Sequence, residues 1–171
     1  MKFTLQQKRL LKKQGYLVYE LQGKSIKDLR DEGNNFWSTW HNGTELENEK
    51  SMMGEVAINP EKLFLPDSNY KTLAKQENMI GNFKPPVGKA IMGNASSYCE
   101  LAFLHYEKTK EYLFGAKDNY DYARTKTPTS SSYVANVGDF DAGNGLSVYN
   151  WGASNGDVDV HAAPLVVPTG K

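Results

Sequence analysis

The sequence predicts a mixed α+β fold, with helices and strands in the first part of the chain and antiparallel strands in the last third. Three observations predict this class. The 171 residues are 39% hydrophobic and 23% charged, which is typical of a folded globular protein. Residues 1–126 alternate between helical and strand-like hydrophobic patterns. Residues 127–170 contain no Lys, Arg, Glu, Gln or Met, and turns rich in glycine and asparagine separate their short apolar runs.

We predict a single domain over residues 1–171, because this length suits one hydrophobic core. Residues 1–95 form its mixed α/β part, residues 96–126 a linking helix and strands, and residues 127–171 its β-rich part. The chain carries 20 basic and 20 acidic residues. A net charge near zero argues against general binding to nucleic acid or to a membrane surface, because such partners need a basic excess.

The cysteine content and the hydropathy pattern predict where the protein is made. Cys99 is the single cysteine, so an internal disulfide and a cysteine metal cluster are excluded, and we expect a small buried side chain. The first residues hold no apolar run of signal-peptide length, and no stretch is apolar enough to insert in a membrane. We therefore expect synthesis in the cytosol, which is compatible with later display on a viral particle or a cell surface.

The first predicted elements are a helix, a strand and a second helix. Leucines spaced by Lys and Arg predict an amphipathic helix over residues 5–14 that ends at Gly15. Residues 16–21 predict a strand. Ser25 is expected to cap a helix that ends near Gly33, since a serine hydroxyl can accept a backbone N–H of the first turn.

Two further strand and helix pairs follow in the first part. A polar loop is predicted for residues 41–54, and a short strand for residues 55–58. The Asp-Ser pair at 67–68 is expected to precede a helix that runs to about Phe83, where a Pro-Pro pair interrupts the chain. Ser96 is expected to cap another helix.

The β-rich part is predicted to end in a hairpin. Residues 132–137 form the first strand of this part, and a glycine-rich turn at 143–145 leads into a strand over residues 146–151. The Asn-Gly pair at 155–156 is the strongest short hairpin signal. The last strand is therefore expected to begin at residue 157 and to pair with the strand before the turn.

Side chains alternate between the two faces of a strand, so this hairpin would have an apolar face and a polar face. The residues expected to point inward are Leu146, Val148, Val158, Val160 and Ala162. The residues expected to point outward are Ser147, Tyr149, Asp157, Asp159 and His161. A solvated sheet face normally carries Lys, Glu or Arg, whereas Tyr, Ser, Asn and Asp are typical of recognition surfaces. The polar face is therefore interpreted as a binding surface.

Three motifs carry a family resemblance: VANVGDFD at 134–141, GLSVYNW at 145–151 and VDVHAAPLVV at 158–167. They resemble the C-terminus of variable proteins of diversity-generating retroelements. In that family a reverse transcriptase copies a template repeat with errors at adenines, and the copy replaces the 3′ end of the target gene. The resemblance implies a C-type lectin-like fold, ligand binding without catalysis, and a hypervariable C-terminal surface that binds a protein or cell-surface ligand. Residues 1–95 carry no motif of the family.

Adenine mutagenesis of an AAC codon reaches Asn, Ser, Asp, Gly, Tyr, His and Ala, but never Lys, Glu, Gln, Met or Trp. The resemblance then implies that Trp151 and the inward-pointing residues are constant scaffold. The candidate variable, ligand-binding positions are Asp139, Asp141, Ala142, Asn144, Ser147, Tyr149, Asn150, Gly152, Ala153, Ser154, Asn155, Gly156, Asp157, Asp159 and His161.

Two other functions compete with this one. The first is a calcium-dependent carbohydrate-binding module of the same fold, because the pairs Asp139/Asp141 and Asp157/Asp159 could supply oxygen ligands. The leading interpretation requires no cofactor or metal. The second is a small hydrolase with a dispersed site, which a buried pocket with a strongly shifted carboxylate or histidine would support.

The remaining chemistry-bearing residues predict structural roles. The three histidines lie on separate predicted elements, and none has metal-ligand spacing. Glycine-rich phosphate-binding spacing is absent from the sequence. Trp37 and Trp40, three residues apart beside the polar loop, are predicted to be core anchors.

Overall fold

The structure is a computed structural model that describes residues 1–37 and 39–170. These residues form four α-helices and eight β-strands in two four-stranded sheets, so the α+β class is confirmed. The helices are α1 (Leu5–Lys13), α2 (Ile26–Asp31), α3 (Leu73–Asn82) and α4 (Ala95–Thr109). The strands are β1 (Leu17–Gln22), β2 (Met53–Ile58), β3 (Lys89–Ile91), β4 (Tyr122–Pro128), β5 (Tyr133–Asp141), β6 (Gly145–Gly152), β7 (Val160–His161) and β8 (Leu165–Val167).

The first sheet has the order β1-β2-β8-β3, and all its described pairs are antiparallel. Helix α1 begins with a capping box in which Thr4 and Gln7 satisfy each other's backbone N–H groups. It covers one face of the sheet, where Leu11 packs in a cluster with Ala57 and Val166. The opposite face supplies Tyr19, Leu21 and other side chains to the main hydrophobic cluster.

Helix α4 is the centre of that main cluster, and all its residues from 95 to 102 are buried. A helix that is buried on all sides carries no single apolar stripe, which explains why its hydrophobic periodicity is weak. Asn94 caps it by accepting the Ser97 N–H at 3.0 Å. The predicted cap, Ser96, instead lies inside the helix and donates to the Glu49 carbonyl at 2.6 Å. Cys99 is fully buried, and burial raises the pKa of its thiol.

The second sheet, β6-β5-β4-β7, curls into a half-barrel whose inner face packs on α4. Strands β5 and β6 form an antiparallel hairpin, and the register pairs Val137 with Val148. These two valines and Leu146 are fully buried in the main cluster. The predicted strands at 132–137 and 146–151 and the turn between them are therefore present, although β5 extends further, to Asp141.

The predicted terminal hairpin is wrong. Residues 153–159 form no strand, β7 pairs in parallel with β4, and β8 lies in the first sheet between β2 and β3. The free edge of β6 is occupied by an earlier segment, because Leu146 N–H donates to the Asn35 carbonyl and Trp37 N–H donates to the Leu146 carbonyl, both at 3.0 Å. On this edge of β6, the Leu146 N–H and carbonyl pair with this segment and the Val148 carbonyl accepts from Trp40, so part of the edge that the predicted last strand would use already has partners.

Two other elements differ from their sequence-based bounds. Helix α3 begins at Leu73 after a Thr72 cap, not directly after the Asp-Ser pair, because Asp67 and Tyr70 adopt positive φ angles of 57° and 54° that interrupt helical geometry. The predicted polar loop contains a short 3₁₀ helix, Glu45–Asn48, and gives way to β2 at Met53.

We expect Gly81→Ala to raise the free energy of unfolding by about 0.5 kcal/mol, because glycine loses more backbone entropy in a helix than alanine does. Gly81 lies in α3, and a Cβ added there meets no atom within 4 Å. Urea denaturation of the two proteins measures the difference. An unchanged or lower stability would contradict the open environment at this position.

Candidate functional site

The outer face of the second sheet, away from α4, carries a cavity of about 290 Å³. Six lining residues come from the sheet itself: Tyr122, Asn136, Ser147, Tyr149, Trp151 and Val160. Three come from the segments that flank it: Trp37, Asp157 and Asp159. Four aromatic rings and two carboxylates therefore surround one opening.

Strand register explains why the sheet residues share a face. Asn136 on β5 pairs with Tyr149 on β6, and Ser147 pairs with Gly138, which itself pairs with Tyr122 on β4. Residues paired across antiparallel strands point to the same side, and residues two apart on one strand do as well. Trp151, two residues after Tyr149, therefore joins this face, although the family resemblance implies that it is core scaffold.

Trp37 and Trp40 are not the core anchors that the sequence predicts, because their side chains are 58% and 39% exposed. The backbone of residues 35–37 pairs with β6 at Leu146, where Phe36 packs on the main cluster and Trp37 projects outward. Trp40 Nε1 donates to the Val148 carbonyl at 2.7 Å. Trp37 lines the cavity. The one sequence feature that could have indicated this surface position is its closeness to the predicted polar loop.

A fully buried cation, Arg124, holds the segment that closes the other side of the cavity. Its Nη1 donates to the Gly152 carbonyl at 3.0 Å, and its Nη2 donates to the Asn155 carbonyl at 2.6 Å and the Lys71 carbonyl at 3.2 Å. Its Nε donates to Gln76 Oε1 at 2.7 Å. The guanidinium fork thus replaces strand pairing as the means of fixing residues 152–156.

Gln76 extends this network to the start of β7. Its amide nitrogen donates to the Val160 carbonyl at 2.9 Å and to the Ser68 carbonyl at 2.7 Å. The Tyr70 N–H donates to the Asp157 carbonyl at 2.9 Å. The carboxylates of Asp157 and Asp159 are therefore carried on a backbone that α3 and the loop before it hold in place.

The structure brings four candidate positions together at the cavity: Ser147, Tyr149, Asp157 and Asp159. Tyr149 is 54% exposed, whereas Ser147 is buried and accepts a hydrogen bond from the Tyr122 hydroxyl at 3.3 Å. The Asp159 N–H donates to Asp157 Oδ1 at 2.9 Å, which holds the Asp157 carboxylate against the Asp159 backbone.

The outward orientation predicted for His161 is not observed. Its ring stacks on Phe64 at 4.7 Å between centroids, and its Nε2 lies 2.8 Å from Asp121 Oδ2. Val160 borders the cavity but is buried as predicted, whereas Val158, which was also predicted to point inward, is 46% exposed, so the predicted alternation fails at Val158. The reason is that residues 157–159 are not a strand and do not keep its two-residue period.

Asn150 lies on the sheet face opposite Tyr149, since it pairs with Ala135, a residue of the main cluster. Its Nδ2 donates to Thr129 Oγ1 at 3.3 Å. It therefore does not join the cavity residues.

The candidate positions in the β5–β6 turn form a separate group. Asp141 Oδ1 accepts the Gly143 and Asn144 N–H groups, each at 2.7 Å, and these backbone hydrogen bonds hold the pKa of Asp141 below its usual value. Ala142 and Asn144 are exposed at the tip. Asp139 has a φ of 47°, and partial burial raises the pKa of its carboxyl. None of the four lines the cavity described above.

The candidate turn at 152–156 mixes exposed and constrained positions. Ser154 and Asn155 are exposed, and Ala153 exchanges backbone hydrogen bonds with Ser132 and Leu73. The two glycines differ in how far they exclude a side chain. A Cβ on Gly156 would lie 2.2 Å from the backbone carbonyl carbon of Tyr70, whereas one on Gly152 would meet the side-chain Nδ2 of exposed Asn155 at 2.6 Å, which can move away.

The cavity also contains buried polar atoms that no described residue satisfies. Asn136 is 2% exposed, and its Oδ1 has no hydrogen-bond partner among the described residues. The same holds for the buried Nε1 of Trp151. An unsatisfied buried acceptor or donor costs roughly 1–3 kcal/mol, so a group that supplied the missing hydrogen bonds would be favoured here.

A metal site is not evident in the described part of the chain, where no group of three or more His, Cys, Asp or Glu residues is arranged to hold an ion. Asp139 and Asp141 lie at the β5–β6 turn, apart from Asp157 and Asp159 at the cavity. The two pairs therefore do not combine into one calcium cage.

A second cavity, of about 270 Å³, lies near the end of α4. Its lining includes His105 and Asp118, and the Tyr19 hydroxyl lies 2.6 Å from His105 Nδ1. Burial lowers the pKa of His105 and raises the pKa of Asp118 to about 6. Asp118 Oδ2 accepts the Phe114 N–H at 2.8 Å, where Phe114 has a positive φ of 62°. This carboxyl therefore stabilises a turn.

We expect the stability of the protein to fall as the pH rises from about 4 to about 6, because the buried carboxyl of Asp118 binds its proton more tightly in the folded state than at its ordinary pKa of 3.8. Asp118→Asn should remove this slope and raise the stability at pH 7 by about 1 kcal/mol after allowance for solvent screening. Urea denaturation across this pH range measures both. Asp31→Asn, at an exposed position on α2, is the control, and an identical slope in both variants would contradict the assignment.

The fold and site together define an α+β protein whose curled sheet presents an aromatic and acidic cavity. Comparison of the chain with protein-family models, with curated proteins and with solved structures gave no match. No helix within residues 1–37 and 39–170 is both long enough and apolar enough to cross a membrane.

Proposed function

We propose that this protein binds a protein or cell-surface ligand without catalysis, through a C-terminal surface that a retroelement diversifies by adenine mutagenesis, on a C-type lectin-like fold. The observation that carries the proposal is the convergence of Ser147, Tyr149, Asp157 and Asp159 on one cavity. These positions come from a strand and from an irregular segment that share no sheet pairing, yet the fold brings them to one opening.

The chemistry of the opening supports recognition. Exposed Trp37 and Tyr149 supply large rigid surfaces at low conformational cost, and such aromatic residues dominate the binding energy of protein interfaces. The carboxylates and the unsatisfied Asn136 and Trp151 atoms supply directional hydrogen bonds. A few oriented polar groups among aromatic walls are typical of ligand sites.

The scaffold beneath the opening supports diversification. Leu146, Val148 and Ala135 pack against α4 on the opposite face of the sheet, so replacing Tyr149 or Ser147 leaves that core contact unchanged. Asp157 and Asp159 are positioned through backbone hydrogen bonds to their segment rather than through their side chains alone. Side chains at these positions can therefore vary while the backbone stays fixed.

The second cavity is the observation that favours the hydrolase alternative, because it combines His105 with a carboxyl of raised pKa. Asp118, however, already accepts a backbone hydrogen bond in a turn, and the nearest group to His105 Nδ1 is the tyrosine hydroxyl. This arrangement is weaker support for catalysis than the open aromatic cavity is for binding.

The DNA around the gene tests the proposal. We expect a near-repeat of the last hundred or so bases that differs mainly at adenines, beside a reverse transcriptase gene. The differing codons should include those for Tyr149, Asp157 and Asp159 and should exclude those for Leu146 and Val148. A genome without such a repeat would refute diversification, and a repeat that varies the buried codons would refute the assigned face.

A further inference from the structure

The cavity on the outer face is surrounded by negative charge and by aromatic faces. Asp157 and Asp159 lie in its wall, and Trp37, Tyr122 and Tyr149 supply ring surfaces. Burial raises the pKa of the Tyr122 hydroxyl, and the negative charges of Asp139 and Asp159 raise it further. Ring faces attract cations, and carboxylates do so over a longer range.

The cations near this wall are already engaged. Arg124 lies on the same sheet face beside Asn136 in the register, but its four described hydrogen bonds go to carbonyl oxygens and to Gln76. It is fully buried and does not line the cavity. His161 faces Asp121 on the other side of β7. The charged side chains that line the opening are the two carboxylates, and the buried Arg124 charge interacts favourably with that of Asp157 from behind the cavity wall.

The buried carbonyl oxygen of Asn136 indicates the kind of group that is missing. Asn136 is 2% exposed, lines the cavity, and has an Oδ1 with no hydrogen-bond partner among the described residues. An acceptor of this kind is satisfied by an N–H or O–H donor. A charged amino or guanidino group is such a donor, and it is also the group that the carboxylates and ring faces favour.

The indole nitrogen of Trp151 adds a complementary requirement. Trp151 lines the same cavity, and its buried Nε1 donor lacks a partner in the described part of the chain. It needs an acceptor, which a cation cannot supply. A peptide carries both groups, because the backbone carbonyl next to a Lys or Arg side chain is an acceptor.

From these contacts we propose that the cavity captures an Arg or Lys side chain of a protein ligand, with the cation among Asp157, Asp159 and the aromatic rings and a ligand carbonyl at Trp151 Nε1. This inference rests on the proposed binding function and specifies its ligand chemistry. Asn136 is a specificity-determining residue in this arrangement, because its Oδ1 accepts from the cation.

Blocked amino acids test the inference directly. The probes are Nα-acetyl-arginine N-methylamide, the lysine analogue, and the citrulline analogue, which has nearly the shape of arginine and no charge. Titration is followed by ¹H–¹⁵N spectra, in which the Trp151 indole N–H is assigned by loss of its signal in Trp151→Phe. We expect saturable shifts of that signal with arginine or lysine, and about tenfold weaker binding of citrulline, equivalent to about 1.4 kcal/mol.

Variants of the cavity residues test how far probe binding depends on the charge of the probe and how far on its shape. Asp157→Asn combined with Asp159→Asn should weaken binding of the arginine probe about tenfold or more and should reduce its salt dependence. Asp31→Asn, an exposed carboxylate on α2 away from the cavity, should leave binding unchanged. If Asn136 Oδ1 accepts a hydrogen bond from the cation, Asn136→Leu should weaken binding of the arginine probe more than binding of the citrulline probe.

The outcomes distinguish this inference from the proposed function. Equal binding of arginine and citrulline would overturn the cation assignment, and so would saturable shifts that leave the Trp151 signal unmoved. Absence of binding by any probe, in a gene that does carry an adenine-varied repeat, would overturn the inference and leave the diversified binding function intact. Cation binding by a protein whose gene lacks such a repeat would support the inference and refute diversification.

Discussion

Arg124→Met is expected to lower the free energy of unfolding by about 3–5 kcal/mol, the scale of breaking a buried charged network. Methionine has a similar length but no donors. The carbonyls of Gly152 and Asn155 and the Gln76 side chain would lose their partners in a buried region. Chemical denaturation followed by circular dichroism measures the loss.

The matched control is Lys126→Met, two residues further along β4, where the side chain is exposed and the same charge is removed. It should change stability by less than about 0.5 kcal/mol. Arg124→Lys should remain destabilising, because an ammonium cannot reproduce the planar fork that reaches four acceptors. Equal stability of the Arg124 and Lys126 variants would show that the buried network does not hold residues 152–156.

Gly156→Ala is expected to cost about 2–3 kcal/mol and to displace the segment that carries Asp157, as overpacking of a close contact does. An added Cβ would lie 2.2 Å from the Tyr70 carbonyl carbon and 2.5 Å from its oxygen. These are backbone atoms of a residue held at a φ of 54°, so neither side can yield easily. Thermal unfolding measures the cost, and spectra of the Trp151 indole report the displacement.

The same substitution at Gly81 provides the comparison, since it is expected to have the opposite sign. If Gly156→Ala were neutral, the close approach to Tyr70 would be contradicted, and position 156 would be as free to vary as Ser154. If it is destabilising, position 156 is restricted to glycine, and useful variation in this turn falls on the exposed side chains of Ser154 and Asn155.

Local signals in the sequence predicted much of the fold. Helix α1, helix α2 with its Ser25 cap, strand β1 and the β5–β6 hairpin lie where capping residues and hydrophobic periods place them. These signals act within a few residues, so they depend little on the tertiary contacts around them. Helix α4 lies where the sequence predicts it, but its cap does not, because Ser96 is buried and donates to a carbonyl that is distant in the sequence.

The candidate site was predicted in part for the same reason. Tyr149 and Ser147 share the outward face because alternation along β6 is local. Trp37 was predicted to be a core residue, and His161 was predicted to face outward. Both predictions were wrong because each side chain is positioned by a contact between segments far apart in the sequence.

The sequence by itself therefore determined the α+β class, most element positions, and the polar, aromatic character of the last third. Tertiary packing determined which strand edges stayed free and which backbone carbonyls accept hydrogen bonds from buried side chains. Residues 35–37 pair with β6 at Leu146, and Arg124 donates to the carbonyls of Gly152 and Asn155. The chain after β6 leaves the β5–β6 hairpin, and its carboxylates line a cavity together with Trp37. Hydrogen-bond partners are assigned by competition among all segments of the folded chain, and a local pattern such as Asn-Gly does not contain that information.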